Sequence, residues 1–128
     1  MSESTYSRLG WTLSALFALF MVGASVAPKL LGMPIAQQTM AALGWPDAPI
    51  LLIGLLELAC TLLFLFPPTG LLGSVLMMAI LGGAMVTQIR AGSPLFSHTL
   101  FSIYLGIMMW GGLILRDARM RAVFPFAR

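Results

Sequence analysis

Four apolar stretches limit what this chain can become. Leu9–Ala27, Ile50–Phe66, Leu71–Ile89 and His98–Leu115 run for 17 to 19 residues each, and a helix needs roughly 17–25 to cross a bilayer. Lipid offers no partner to a bare backbone N–H or C=O, so such segments must bond internally as helices. A membrane barrel would alternate apolar and polar residues, and these segments do not. Charged residues make up 9% of the chain and hydrophobic ones 59%, whereas a soluble domain carries about 25% charged residues. The expected fold is all-α: one domain over residues 1–128, an integral membrane four-helix bundle.

The breaks follow helix chemistry. Pro28 is expected to end the first segment, Pro67, Pro68 and Gly70 to turn the chain between the second and third, and Gly92, Ser93 and Pro94 between the third and fourth. Within the long connection from Pro28 to Pro49, Pro34–Leu43 reads as a short helix with proline at its first position and Gly44 past its end. Its Ile35, Ala36, Met40 and Leu43 suit a helix at the membrane interface, with Trp45 as an anchor. Ser25-Val26-Ala27 resembles a signal-peptide cleavage site. The apolar stretch exceeds the usual roughly 7–15 residues, and Pro28 would hinder the cut, so the segment is read as a retained helix.

Orientation follows from Lys and Arg near the segment ends. Arg8, Arg116, Arg119, Arg121 and Arg128 fall on the side of the termini, against Lys29 and Arg90 on the other, which predicts both termini in the cytoplasm. The tail after Leu115 suits a segment lying along the anionic inner leaflet; the plainer reading, a stop-transfer anchor and nothing more, is preferred. Reporter fusions at Arg128 and within Pro67–Gly70 should read cytoplasmic, and one within Gln37–Ala42 external. A cytoplasmic reading in Gln37–Ala42 would overturn the orientation.

Several function classes drop out. Seven Lys and Arg, mostly at segment ends, make no nucleic-acid footprint. Cys60 is the only cysteine and His98 the only histidine, which excludes a disulfide framework, a C-x-x-C pair, a Cys-rich zinc site and a bis-His haem site within one chain. No metal site is expected, no cofactor is evident, and the catalytic residues, if any, are unknown. The ten methionines read as flexible packing. Small residues four apart (Gly10, Ser14 and Ala18; Gly23 and Ala27; Ala79 and Gly83; Ser102 and Gly106) allow close helix approach.

Glu57 stands apart. It is the only Asp, Glu, Lys or Arg within the four segments and sits at the middle of its own. A charged residue there costs about 2.5–3.5 kcal/mol on insertion scales. Twelve Leu, Ile and Phe on the same segment, each contributing about −0.3 to −0.6 kcal/mol near the helix centre, still carry it into the membrane. Glu57 must then face protein or a water-filled cavity. Gly54, Cys60 and Thr61 share its face. Seven residues place it roughly 10 Å below the end of its helix. Tyr104 reaches a similar depth on the fourth segment, Gly82 and Gly83 leave space on the third, and Lys29, Gln88 and His98 lie nearer the mouth. The expected site is an outward-opening polar pocket of Glu57, Tyr104, Gln88, Lys29, His98 and Cys60. The lysine is expected to turn its ammonium outward. The plainer reading is a hydrogen-bonded carboxyl that fixes helix register, with His98 and Lys29 as ordinary interfacial residues.

Further residues carry a family resemblance. Gly23 with Lys29-Leu30, then Leu43-Gly44-Trp45-Pro46, Gly54-Leu55-Leu56-Glu57-Leu58, Gly82-Gly83-Ala84, Arg90-Ala91-Gly92-Ser93-Pro94-Leu95, and Trp110-Gly111-Gly112-Leu113 with Leu115-Arg116-Asp117 resemble the DoxX-like family of small four-helix membrane proteins. The likeness covers nearly the whole chain, and the Lys and Glu are its most specific marks. Where the family pattern has a histidine near the end of the third helix, this chain has Gln88, which keeps hydrogen bonding but not proton transfer or metal ligation. The resemblance implies a bacterial inner-membrane bundle. It also implies association with quinone-linked sulfur oxidation or redox-protective complexes, or with membrane assembly.

Three functions are therefore weighed. The first is a redox-associated subunit binding a quinone or other lipophilic ligand, since a carboxyl and a tyrosine at one depth would supply the hydrogen bonds of a quinone head. The second is a non-enzymatic assembly or scaffold protein. The third is a small proton-coupled exporter; such exporters keep their membrane Glu on the first helix and have weak charge bias, unlike this chain. The lipid bilayer is the one partner implied throughout. Membrane or redox protein partners and a second copy of the chain are left open.

Overall fold

A computed structural model describes residues 1–127; Arg128, counted above in the charge asymmetry, lies outside the described residues. Their regular elements are all helices, without strands. We number the helices α1 (Glu3–Leu30), α2 (Pro34–Ala42), α3 (Ile50–Leu65), α4 (Gly70–Arg90), α5 (Leu95–Arg116) and α6 (Ala118–Val123). α1, α5, and α4 together with its leading 3₁₀ turn (Pro67–Arg90) are long and apolar enough to cross a membrane, and α3 is a shorter apolar helix. Around the bundle α1 packs on α5, α5 on α4, α4 on α3, and α3 on the C-terminal part of α1.

Pro28 does not end the first helix. The chain stays helical to Leu30 because the turn before the proline, Met21–Val26, is π-helical, and Ala27 N–H reaches back five residues to Val22 O. Proline lacks an N–H and its ring crowds the carbonyl four residues earlier; the wider turn relieves that crowding. The extra residue also rotates the rest of the helix by roughly 100°. The break comes instead at Gly32, whose φ of 65° suits a residue without a side chain.

The bundle is inverted relative to a soluble protein. Large apolar residues such as Leu19, Ile107 and Val86 face outward, while Ser14, Thr61 and Ser74 are fully buried. Each of these hydroxyls donates to the carbonyl four residues back, on Gly10, Glu57 and Gly70. Their burial therefore leaves no orphaned donor.

Packing is tight at the end carrying the termini and the Pro67–Thr69 turn. Phe17, Phe64, Met77 and Met109 are completely buried there and in mid-bundle, with Phe17 and Phe64 edge to face at 5.5 Å. A Cβ at Gly112 would lie 2.6 Å from Ser14 Oγ, and one at Gly73 would strike the backbone of Phe64. The Arg116 guanidinium lies between Trp11 and Phe64, 4.3 and 4.4 Å from their ring centroids, and donates to Phe64 O. Gly10, Ser14, Ala18, Ser102 and Gly106 are buried as close-approach positions. Ala79 and Gly83 are exposed, and Gly23 meets nothing, so these do not serve close packing.

Towards the far end the helices part. A Cβ at Gly82 or Gly83 would meet no atom within 4 Å. α2 lies across this end between Gly32 and Gly44, both at positive φ, and buries only Ala36.

The tail folds back onto the opposite end. Arg121 donates to the Ile114 and Leu115 carbonyls and pairs with Glu3 at 2.6 Å; Trp110 and Phe124 stack at 4.5 Å. Asp117 caps α6 by accepting from Arg119 N–H, and hydrogen bonding from the Arg119 side chain holds its carboxyl below the usual range. This small contribution is present at neutral pH and fades as pH falls through the lowered value.

Candidate functional site

The site begins with α3. Its face of Gly54, Glu57, Cys60, Thr61 and Phe64 points inward and is buried, as the helical spacing predicts. Gly54 lets α1 approach: a Cβ there would stand 2.9 Å from Lys29 Cβ and 3.1 Å from a Leu30 methyl. One helical turn along α3, the Lys29 ammonium reaches Glu57, with Nζ at 3.2 Å from both carboxylate oxygens. The expectation that Lys29 would turn outward is thus corrected. The π-turn aims its stem across Gly54, and the carboxylate supplies what solvent otherwise would.

Ser25, one turn before Lys29, completes the group. Its hydroxyl donates to Glu57 Oε2 at 2.8 Å and accepts from Lys29 Nζ at 2.8 Å, and its carbonyl accepts from Nζ at 3.2 Å. The three ammonium protons are therefore committed, while the carboxylate retains lone pairs. The side chains of Lys29 and Glu57 are 15% and 7% exposed, so the pair is shielded from bulk solvent. Removing one member of such a pair costs far more than a surface ion pair is worth.

Two clefts meet at this group. One, of about 340 Å³, lies among α1, α2, α4 and α5 with Phe20 and Phe101 on its wall. The other, of about 350 Å³, lies between α3 and α4 beneath Trp45, with Leu56 and Gly83 at its side. Both are lined by Ser25, Lys29, Glu57 and Gln88, and both fall in the usual size range of small-molecule sites (about 300–1,000 Å³). Gln88 Oε1 is buried without a hydrogen-bond partner among the described residues. A half-turn of its amide exchanges oxygen for NH2, so the group can meet a ligand donor or acceptor.

The structure brings Glu57, Lys29 and Gln88 together and leaves out the other three expected residues. Tyr104 is 44% exposed on the outer face of α5, and its hydroxyl donates to Phe96 O at 2.9 Å. Equal depth did not mean equal facing: Ser102, Leu105 and Gly106 hold the inward face of α5, and position 104 falls opposite. His98 is exposed in the first turn of α5, with Nδ1 2.7 Å from Ser97 Oγ. Cys60 is a free buried thiol in the apolar core and lines neither cleft. Ser25 was missed, although a hydroxyl four residues before Lys29 could have indicated it. Among the described residues, no three His, Cys, Asp or Glu gather as metal ligands.

A model of the DoxX-like family matches residues 12–112. Comparison with curated proteins and with solved structures gave no match.

Proposed function

This chain belongs to the DoxX-like family and is a membrane protein, and on that premise we propose that it binds a lipophilic ligand with a hydrogen-bonding head, of the quinone or quinol type, as a redox-associated subunit. The observation that carries the reading is the meeting of two apolar clefts at a shielded Ser25–Lys29–Glu57 group. Apolar walls with a few convergent polar atoms are what such a ligand needs. Glu57 can accept from a head hydroxyl. Lys29, by releasing the Ser25 carbonyl, or the Gln88 amide can donate to a ring oxygen. Any electrons would come from a partner protein, since this chain contributes binding, orientation and a hydrogen-bonding carboxylate. The assembly and exporter readings have no comparable observation behind them; Glu57 is already committed to a lysine.

The test is titration of the purified full chain with a short-chain benzoquinone, read by quenching of tryptophan fluorescence. Saturable quenching is expected. Glu57→Gln keeps the size of the side chain and should weaken it about tenfold, the scale of one hydrogen bond to a charged group. Quenching that never saturates, or is identical in the variant, would remove the proposal.

A further inference from the structure

We propose that the cleft between α3 and α4 is a lateral portal that holds a single long apolar chain, and that Gly83 keeps it open. This rests on the reading of the polar group as a head site and adds the ligand class: a head on one linear alkyl or isoprenoid tail, entering from the bilayer rather than from water.

α3 and α4 diverge along their length. At Gly73 they touch backbone to backbone, against Phe64. Ten residues further along α4, Gly83 meets no atom within 4 Å and is exposed. Leu56 flanks it on α3 and is 49% exposed. The gap therefore opens sideways, towards the surroundings of the bundle. Besides the polar residues shared with the other cleft, its lining is apolar apart from Thr87, whose hydroxyl is spent on Gly83 O at 2.8 Å. Glu57 and Gln88 line the same cleft, so a molecule in the gap reaches the polar group without crossing another helix. Two helix walls facing each other along the gap suit one linear chain.

The other cleft is the competing exit, between Phe20 and Ala24 of α1 and Phe101 of α5. Phe20 and Phe101 stand 5.4 Å apart and narrow it, whereas the α3–α4 gap has a glycine on its wall.

The experiment compares a tail-less benzoquinone with one bearing a decyl chain, at fixed detergent concentration, on the purified full chain. The parent should bind the decyl form at least about tenfold more tightly, as burial of two or three methylenes implies. Gly83→Leu should erase that advantage and leave tail-less binding within about twofold, with Gly83→Ala between. No atom lies within 4 Å of a Cβ there, so neither variant forces the backbone to move, and both should fold like the parent. Unchanged decyl affinity in Gly83→Leu overturns the portal, as does loss of the advantage in Ala24→Leu instead. If the tail-less form fails to bind the parent while Gly83→Leu still abolishes decyl binding, the head-group reading falls and the portal stands. If neither form binds the parent, both fall.

Discussion

Lys29→Met is expected to destabilise the protein by about 3–5 kcal/mol, because it leaves a carboxylate shielded and without its cation. The methionine keeps most of the stem that packs across Gly54, so the loss reports charge rather than a cavity. Thermal unfolding of purified protein should show the midpoint fall sharply. Adding Glu57→Gln should restore at least half of it, since a neutral amide needs no counter-ion and still accepts from Ser25. A single variant as stable as the parent, or a double variant less stable than the single, would mean that the pair holds no tension between burial and charge.

Gly73→Ala and Gly82→Ala should act in opposite directions, although both put alanine into one helix. At Gly73 the added methyl meets the Phe64 backbone, which cannot swing aside like a side chain. Overpacking of this kind costs about 1–3 kcal/mol or more. At Gly82 there is open space, and removing a mid-helix glycine should stabilise by about 0.5–1 kcal/mol. Unfolding midpoints of the two variants on either side of the parent's are the expected result. If both fell together, the tight and open ends of the bundle would be wrongly assigned.

These contrasts also show how far the sequence could be read. Apolar segment length and the absence of alternation were enough for an all-helical bundle, because lipid leaves the backbone so few options. The short helix after Gly32 was visible from Pro34 and Gly44. The course of the chain through Pro28 was not, since a proline reads as a helix end unless the turn before it widens, as Met21–Val26 does here. Glu57 was legible as an isolated charge. Its partner was misjudged because snorkelling assumes that water is the nearest relief, and here Glu57 is nearer. Tyr104 was placed by depth alone. Depth is one coordinate on a helix and facing is the other; a tyrosine beside inward-facing Ser102 and Leu105 turns outward. Ser25 carries no charge to draw notice, and the two clefts exist only once the helices are packed.

If a ligand head rests on the Ser25–Lys29–Glu57 group, a covalent mark left by that head should fall beside it. A photoreactive benzoquinone analogue with its reactive group on the head, irradiated with the purified full chain and mapped by peptide mass spectrometry, should label segments 20–29 and 80–88. An excess of unreactive quinone should suppress that labelling. Labelling confined to lipid-facing residues such as Leu19, Leu62 or Ile107, unaffected by competitor, would show that no head site exists at this group.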